Sequence, residues 1–315
     1  MITGQPGIGK TEIIKEVVSS LKDHQLLISH PVVSDPTDFK GMPFVTNGSA
    51  EFLPFGDLKK LIDATSPLIF FLDDFGQANV SVQAAAMQLI LERRINGHKI
   101  SDNVVFMAAT NRHTDRAGVS GILEPVKSRF MTILELSVNS DDWIEWANVN
   151  NMPPELVSFI RFKPGMLSDF QPSRELKNSP TPRTIVHVGK MMNSGLSKDF
   201  EFEVFSGAAG EGFATEFRSY LTIYRDLPDP REVLNNPAQA IVPKELSQKY
   251  AISAAISHIV SEKTFKNFIT YIDRLPVEFK ISAFRDAISR NAKLLNHPDG
   301  MKWLSENSSV LVGSR

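Results

Sequence analysis

The sequence contains no cysteine among its 315 residues, which excludes disulfides and thiolate metal sites and leaves the redox compartment open. It has no apolar run near the roughly 18 residues that a membrane span needs, and its N-terminus lacks the basic-then-apolar pattern of a signal peptide. The formal net charge is only −2 at pH 7, so no global basic field attracts nucleic acid or an anionic membrane, although a local patch could. These absences predict a cytoplasmic protein with no membrane partner and argue against a nucleic-acid partner.

Near its start the chain matches the phosphate-loop pattern G-x-x-x-x-G-K-[ST]. The residues of the match are Gly4, Gln5, Pro6, Gly7, Ile8, Gly9, Lys10 and Thr11. The glycines of such a loop let successive backbone N–H groups point at phosphate oxygens, the lysine reaches the outer phosphates, and the hydroxyl ligates Mg²⁺. The next residues have apolar side chains at helical spacing, which would bring the phosphates to a helix N-terminus. We therefore predict a nucleotide site with Thr11 as a metal ligand; a glycine-rich turn before a helix is the alternative.

Acidic and amide side chains follow two apolar runs that have the character of buried strands. The run Leu68–Leu72 is continuously apolar, as expected of a strand buried on both faces, and Asp73 and Asp74 follow it. Ligands of open parallel sheets bind at the carboxyl ends of the strands. We therefore expect Asp73 to hold Mg²⁺ and Asp74 to orient the attacking water. A second run ends in Asn111, which would lie near the γ-phosphate and position the same water.

Taken together, these motifs resemble the AAA+ ATPases, and more narrowly the MoxR-like branch with its helix-two insert. The segments GQPGIGKT, FFLDD, MAATN, LEPVKSRF and TPRTIVHV follow the order of that family's phosphate loop, acidic strand, sensor 1, arginine-finger and sensor 2 elements. On this resemblance Arg129 is the finger and Arg183 is sensor 2, while Arg116 is a competing candidate for the finger. The turns Asn47-Gly48 and Asn96-Gly97 are strong hairpin signals and fit the two extra hairpins of the branch.

Strand–helix alternation in the first part of the chain and helices after it define the predicted fold class. We expect an α/β P-loop NTPase core with three αβα layers and a parallel sheet, then an all-helical lid and a helical C-terminal region. The predicted domains are 1–138 for the nucleotide-binding core, 139–225 for a four-helix lid with sensor 2, and 226–315 for a linker and the C-terminal helices. Because only three residues precede the loop, we expect the first strand to be truncated; a naturally short strand is the alternative.

The resemblance also implies an activity and partners. It implies hydrolysis of ATP with Mg²⁺ in a ring, expected to be a homo-hexamer, that remodels a protein client and can pair with a von Willebrand factor A domain protein. One departure is Asp74, which stands where such strands usually carry Glu, so we expect slow hydrolysis. The main alternative is an ATP- or GTP-dependent nucleic-acid motor or restriction-type subunit. A nucleotide-switched scaffold and a small-molecule kinase remain open as well.

Overall fold

The computed structural model describes residues 1–46, 48–115, 121–173 and 175–312. The chain forms two compact units, Met1–Ser137 and Val138–Arg315. The strands of the described residues all lie in the first unit: β1 Ile2–Thr3, β2 Gln25–Ser29, β3 Met42–Thr46, β4 Ser49–Leu53, β5 Leu68–Leu72, β6 Arg94–Ile95, β7 His98–Lys99, β8 Val104–Thr110 and β9 Leu134–Glu135.

Helices occur in both units. Those of the first unit are α1 Lys10–Ser20, α2 Pro36–Lys40, α3 Gly56–Ile62, α4 Val80–Glu92 and α5 Glu124–Lys127. Those of the second unit are α6 Ser140–Val149, α7 Pro154–Phe162, α8 Pro182–Asn193, α9 Glu201–Ala209, α10 Glu211–Arg225, α11 Pro230–Asn235, α12 Leu246–Ile259, α13 Phe265–Ile272, α14 Val277–Arg290 and α15 Pro298–Val312. None of these helices, over the residues described, is long and apolar enough to cross a membrane.

The first unit is built on a parallel sheet whose strands, as far as the structure describes them, run in the order β2-β5-β8-β1-β9. Alternate side chains of the fully buried strand β5 pack on opposite faces. Phe70 packs with α3 and α4, whereas Ile69 and Phe71 pack with Ile14 and Val18 of α1. Helices therefore cover both faces of the sheet, and the predicted α/β P-loop fold class is confirmed.

Strand β1 has only two residues, yet it is central in the sheet. Ile2 pairs with both Ala109 of β8 and Leu134 of β9. At its end the amide of Gly4 donates to the carbonyl of Thr110 at 3.3 Å. Because β8 lies between β1 and β5, the segments that leave the carboxyl ends of these three strands meet at one edge of the sheet.

Two antiparallel hairpins extend from this unit, β3–β4 and β6–β7. The second turns at Asn96 and Gly97 with positive φ at both residues, the type I′ geometry that Asn-Gly predicts; Asn47 of the first turn lies outside the described residues. A ring nitrogen of His98 in the second hairpin lies 3.1 Å from the carbonyl of Phe52 in the first, and Asn96 Nδ2 donates to the carbonyl of Lys40, the last residue of α2, at 2.7 Å.

The second unit is helical, with one aromatic core on α6–α10 and another on α11–α15. The predicted four-helix lid was wrong in one respect, because α9 is a further helix between α8 and α10. A buried polar group also joins the predicted lid to the C-terminal helices. Asp286 of α14 accepts hydrogen bonds from Arg161 of α7, at 2.5 and 2.7 Å, and from Asn148 Nδ2 of α6 at 2.7 Å.

Candidate nucleotide site

The loop after β1 adopts a backbone conformation that requires glycine at several positions. Gly7 and Gly9 have φ of 76° and 96°, the left-handed region that favours glycine, and Gly9 immediately precedes α1. A Cβ on Gly4 would lie 2.6 Å from Ile8 Cδ1 and 2.8 Å from the carbonyl oxygen of Leu136. The close packing at Gly4 and the left-handed backbone at Gly7 and Gly9 together explain why glycine occupies these positions.

The side chain of Lys10 is buried at the first turn of α1. Its ammonium donates to the carbonyls of Gly4 and Gln5, at 2.9 and 3.0 Å, and to Asn111 Oδ1 at 2.6 Å. The loop and the end of β8 are thus joined through one positive charge, although 101 residues separate Lys10 from Asn111.

The hydroxyl of Thr11 donates to Asp73 Oδ2 at 2.7 Å. Asp73 is 8% exposed, and its amide donates to the Ser29 carbonyl at the end of the neighbouring strand β2. The hydroxyl and the carboxylate therefore face each other across the start of α1 and the end of β5.

Asp74 and Asn111 complete the cluster. Asn111 Nδ2 donates to Asp74 Oδ1 at 3.3 Å, and the amide of Asp74 donates to Asp73 Oδ1 at 3.1 Å. Asp74 has φ 53°, a left-handed conformation that Asp and Asn adopt more readily than other residues with a side chain. The structure thus brings together five of the predicted site residues at the carboxyl edge of the sheet.

The donor set suits a nucleotide with Mg²⁺. A hydroxyl and a carboxylate oxygen 2.7 Å apart are hard ligands of the kind Mg²⁺ prefers, and the buried ammonium of Lys10 is linked to the same cluster through Asn111. No group of three or more His, Cys, Asp or Glu side chains with metal-binding geometry occurs within the described ranges, and magnesium bound through phosphates needs none.

Comparison with known proteins agrees with this geometry. Residues 1–138 match the family described as "ATPase family associated with various cellular activities (AAA)". Residues 1–138 form an AAA ATPase family domain. No curated protein matches the chain.

Solved structures also resemble the chain. They include the RuvB Holliday junction branch migration motor of Thermotoga maritima, 18% identical over 87% of this chain and 78% of that chain with a TM-score of 0.39. A mutant of the same RuvB is 16% identical over 87% and 80% of the two chains, with a TM-score of 0.42. A Cytophaga hutchinsonii protein described as an ATPase candidate is 15% identical over 90% and 74%, with a TM-score of 0.34. Likenesses at these TM-scores assign no function to the chain.

Two of the three predicted arginines fall within the described residues, and no bond from either to the cluster is seen there. Arg129 belongs to the AAA domain and follows α5; its Nη1 donates to Ser128 Oγ at 3.1 Å, and its buried Nε has no partner among the residues the structure describes. Arg183 lies in the second unit, in the first turn of α8. Arg116, the competing finger, lies outside the described residues. The finger and sensor 2 roles stay predictions.

Sequence reasoning missed Arg112, which comes directly after Asn111 in the AAA domain. Its guanidinium makes two 3.1 Å bonds to the carboxylate of the buried Asp115 and lies 3.5 Å from Glu135. The hydrogen bonds to Asp115 raise the pKa of Arg112 despite its partial burial. This pair fixes the segment after β8, and the Arg-x-x-Asp spacing is the signal that could have revealed it.

Proposed function

We propose that the protein is a MoxR-like AAA+ ATPase that hydrolyses ATP in a ring, with an arginine finger supplied by the neighbouring subunit, and remodels a protein or protein complex. The observation that carries the proposal is the convergence of Lys10, Thr11, Asp73, Asp74 and Asn111 at one edge of a parallel sheet. No single segment contains this set, and the AAA family match covers all five positions.

The phosphate-binding residues have separate tasks. Lys10 binds the outer phosphates with a charge that is already fixed by the loop carbonyls. Thr11 and Asp73 would hold Mg²⁺, the hydroxyl directly and the carboxylate through water, as their shared hydrogen bond suggests. The ion, when bound, offsets negative charge on the phosphate oxygens. Gly7 and Gly9 keep the backbone close to the phosphates without a Cβ in the way.

Asp74 and Asn111 position the attacking water in this proposal. Their side chains already share a hydrogen bond, so both can contact one water on the γ-phosphate side of Lys10. The carboxylate of Asp74 would accept a proton from that water as the bond to the leaving ADP breaks. Because Asp is one methylene shorter than the usual Glu, we expect real but slow turnover.

The substitution Asp74→Asn tests this role. Asn tolerates the left-handed backbone, so the fold should persist while the charge is lost. We expect ATP binding to be retained and steady-state turnover to fall by about 10²-fold or more, the usual worth of a positioned base. An unchanged rate would remove Asp74 from the mechanism.

Arg129 is proposed to act in the neighbouring subunit's site. A guanidinium aimed at the γ-phosphoryl oxygens stabilises the charge of the transition state more than that of bound ATP. Arg129→Ala should therefore bind ATP normally and lose roughly 10³- to 10⁵-fold in turnover. The matched control is Lys127→Ala, a nearby cation that pairs with the exposed Glu124. A hydrolysis rate within the range of that control would end the assignment.

The assembly, partner and client are proposed from the resemblance. A homo-hexamer predicts that turnover per subunit rises with protein concentration and that light scattering detects the ring with ATP. Arg183 as sensor 2 predicts that Arg183→Ala weakens nucleotide binding or turnover. Capture with the Asp74→Asn form tests for a protein client and a von Willebrand factor A domain partner. Hydrolysis stimulated by DNA would instead favour the alternative function, a nucleic-acid motor. We also propose that the protein is cytoplasmic.

A further inference from the structure

Gln83 of α4 has a fully buried side chain whose amide bonds to two separate segments. The residue is 0% exposed. Its Nε2 donates to the carbonyls of Ala78, at 3.1 Å, and Gly121, at 3.0 Å, and its Oε1 accepts from the amide of Leu123 at 3.1 Å. Both amide hydrogens and the carbonyl oxygen therefore have partners, as a buried amide requires.

The first of these segments begins at the catalytic edge of the sheet. Asp74 precedes the 3₁₀ turn Phe75–Gln77, and Ala78 ends that turn. Phe75 is fully buried, and a Cβ on Gly76 would lie 2.2 Å from Thr110 Oγ1. The turn is therefore packed tightly against β8, whose last residue, Thr110, precedes Asn111.

The second segment leads to the proposed finger. Leu123 is the N-cap of α5, a helix of four residues, and Arg129 follows that helix after one residue. A helix this short has little stability of its own, so its position depends on external contacts. Gln83 provides two of them, on both sides of residue 122, and the ring of Phe130 packs edge-on against Phe75 with centroids 6.5 Å apart.

Gln83 bonds three main-chain groups that an apolar side chain at this position would leave without this partner. The neighbours Val82 and Ala86 are apolar and fully buried in the same cluster, and burying an amide gains stability only when every bond is made. The bonds of Gln83 span 38 and 40 residues of sequence and end on main-chain groups of the finger segment. Such bonds fix position and orientation more narrowly than apolar packing does.

We propose that Gln83 is a positioning residue for Arg129: it holds the finger segment in register with the Asp73–Asp74 end of β5, so that each subunit offers a correctly placed arginine to its neighbour. This inference rests on the proposed function, because it takes Arg129 to act in trans. Gln83 touches neither ATP nor the reacting atoms, and its effect on rate is exerted through the position of the guanidinium.

Mixed assemblies test the proposal. A Lys10→Ala subunit lacks a working site but keeps its finger, and an Arg129→Ala subunit keeps its site but lacks a finger. Neither should turn over ATP alone, whereas their mixture should regain turnover at interfaces where the two intact halves meet. Gln83→Met, which keeps length and loses the amide, is then added to either partner. Gln88→Met in the same helix is the matched control, since Gln88 bonds to Glu92 of its own helix.

The proposal predicts that Gln83→Met lowers turnover when it is placed in the subunit that donates the finger, and not when it is placed in the subunit that provides the active site. On the finger-donating Lys10→Ala partner, we expect the recovered turnover to fall at least about tenfold, since a misplacement near 1 Å can cost about 10²-fold. When Gln83→Met is placed in the Arg129→Ala subunit, the turnover of the mixture should stay within about twofold of that of the parent mixture. The same should hold when Gln88→Met is placed in either subunit. The inference would be overturned if Gln83→Met caused no loss of turnover, or an equal loss in both subunits as misfolding would. The variant Gln83→Leu repeats the comparison with a second apolar side chain. A parent mixture without recovery would instead reject the trans finger, and this inference with it.

Discussion

Removing the carboxylate of Asp286 should destabilise the second unit strongly. Asp286 is 3% exposed and accepts three hydrogen bonds, two of them from Arg161, whose side chain is 16% exposed. Burial alone would lower the pKa of Arg161, and the charge of Asp286 with its hydrogen bonds outweighs this effect, so the pKa is raised. In Asp286→Ala the guanidinium stays charged and loses its partner.

The expected size depends on the burial of the pair. Breaking a buried ion pair by removing one partner costs about 3–5 kcal/mol in the free energy of unfolding. For a unit of this size, about 2–4 °C of Tm per kcal/mol gives a fall of roughly 6–20 °C. Urea denaturation followed by circular dichroism measures the free energy, and calorimetry measures the transition of the second unit.

Two control variants distinguish the effect of breaking a buried ion pair from the effect of simply removing a charge. Glu175→Ala removes the partner of Lys177 in an exposed pair of the same unit and should change stability by less than about 1 kcal/mol. The double variant Arg161→Met with Asp286→Leu should recover much of the loss, because neither charge of the pair is then left buried without its partner. A change below about 1 kcal/mol for Asp286→Ala would refute the reasoning.

Three further predictions concern other positions. Gly76→Ala should cost about 1–3 kcal/mol in unfolding free energy through its contact with Thr110, and adding Thr110→Ala should relieve part of it; no destabilisation would contradict the packing. Asn111→Ala should lower turnover at least about tenfold while ATP affinity, measured by calorimetric titration, changes little; an unchanged rate would exclude Asn111 from the reaction. Burial raises the pKa of Glu155 above its usual 4.5, so stability is retained below that pH and declines as pH rises through the folded pKa; Glu155→Gln should flatten the decline in urea titrations at stepped pH, and a superimposable profile would contradict it.

The sequence predicts best those features that depend on neighbouring residues. The continuous apolar run of β5 indicates a strand buried on both faces, and the residues after β5 and β8 lie at the edge of the sheet where a parallel topology places them. The Asn96-Gly97 turn is equally local, because its positive φ values are encoded by those two residues.

Features that depend on tertiary contacts were not predictable. Helix α9 carries Gly207 in its interior, which weakens its helical signal, and it is stabilised by Phe205 and Ala209 packing in the core of the second unit. Strand β9 is likewise defined by pairing, because it consists of the two residues, Leu134 and Glu135, that bond to β1. The side-chain hydrogen bonds of Gln83 join segments about forty residues apart, and no local sequence pattern predicts them.

The environment of Lys10 has a consequence for which molecules the loop admits. An ammonium has three N–H groups, and three oxygens of the chain already receive them, from Gly4, Gln5 and Asn111. A ligand oxygen that binds this ammonium must displace at least one of these oxygens, which a multiply charged anion does more readily than an uncharged nucleoside because charge-assisted hydrogen bonds are stronger. The Nζ atom of Lys10 would therefore discriminate against ligands that lack phosphate, independently of any recognition of the base.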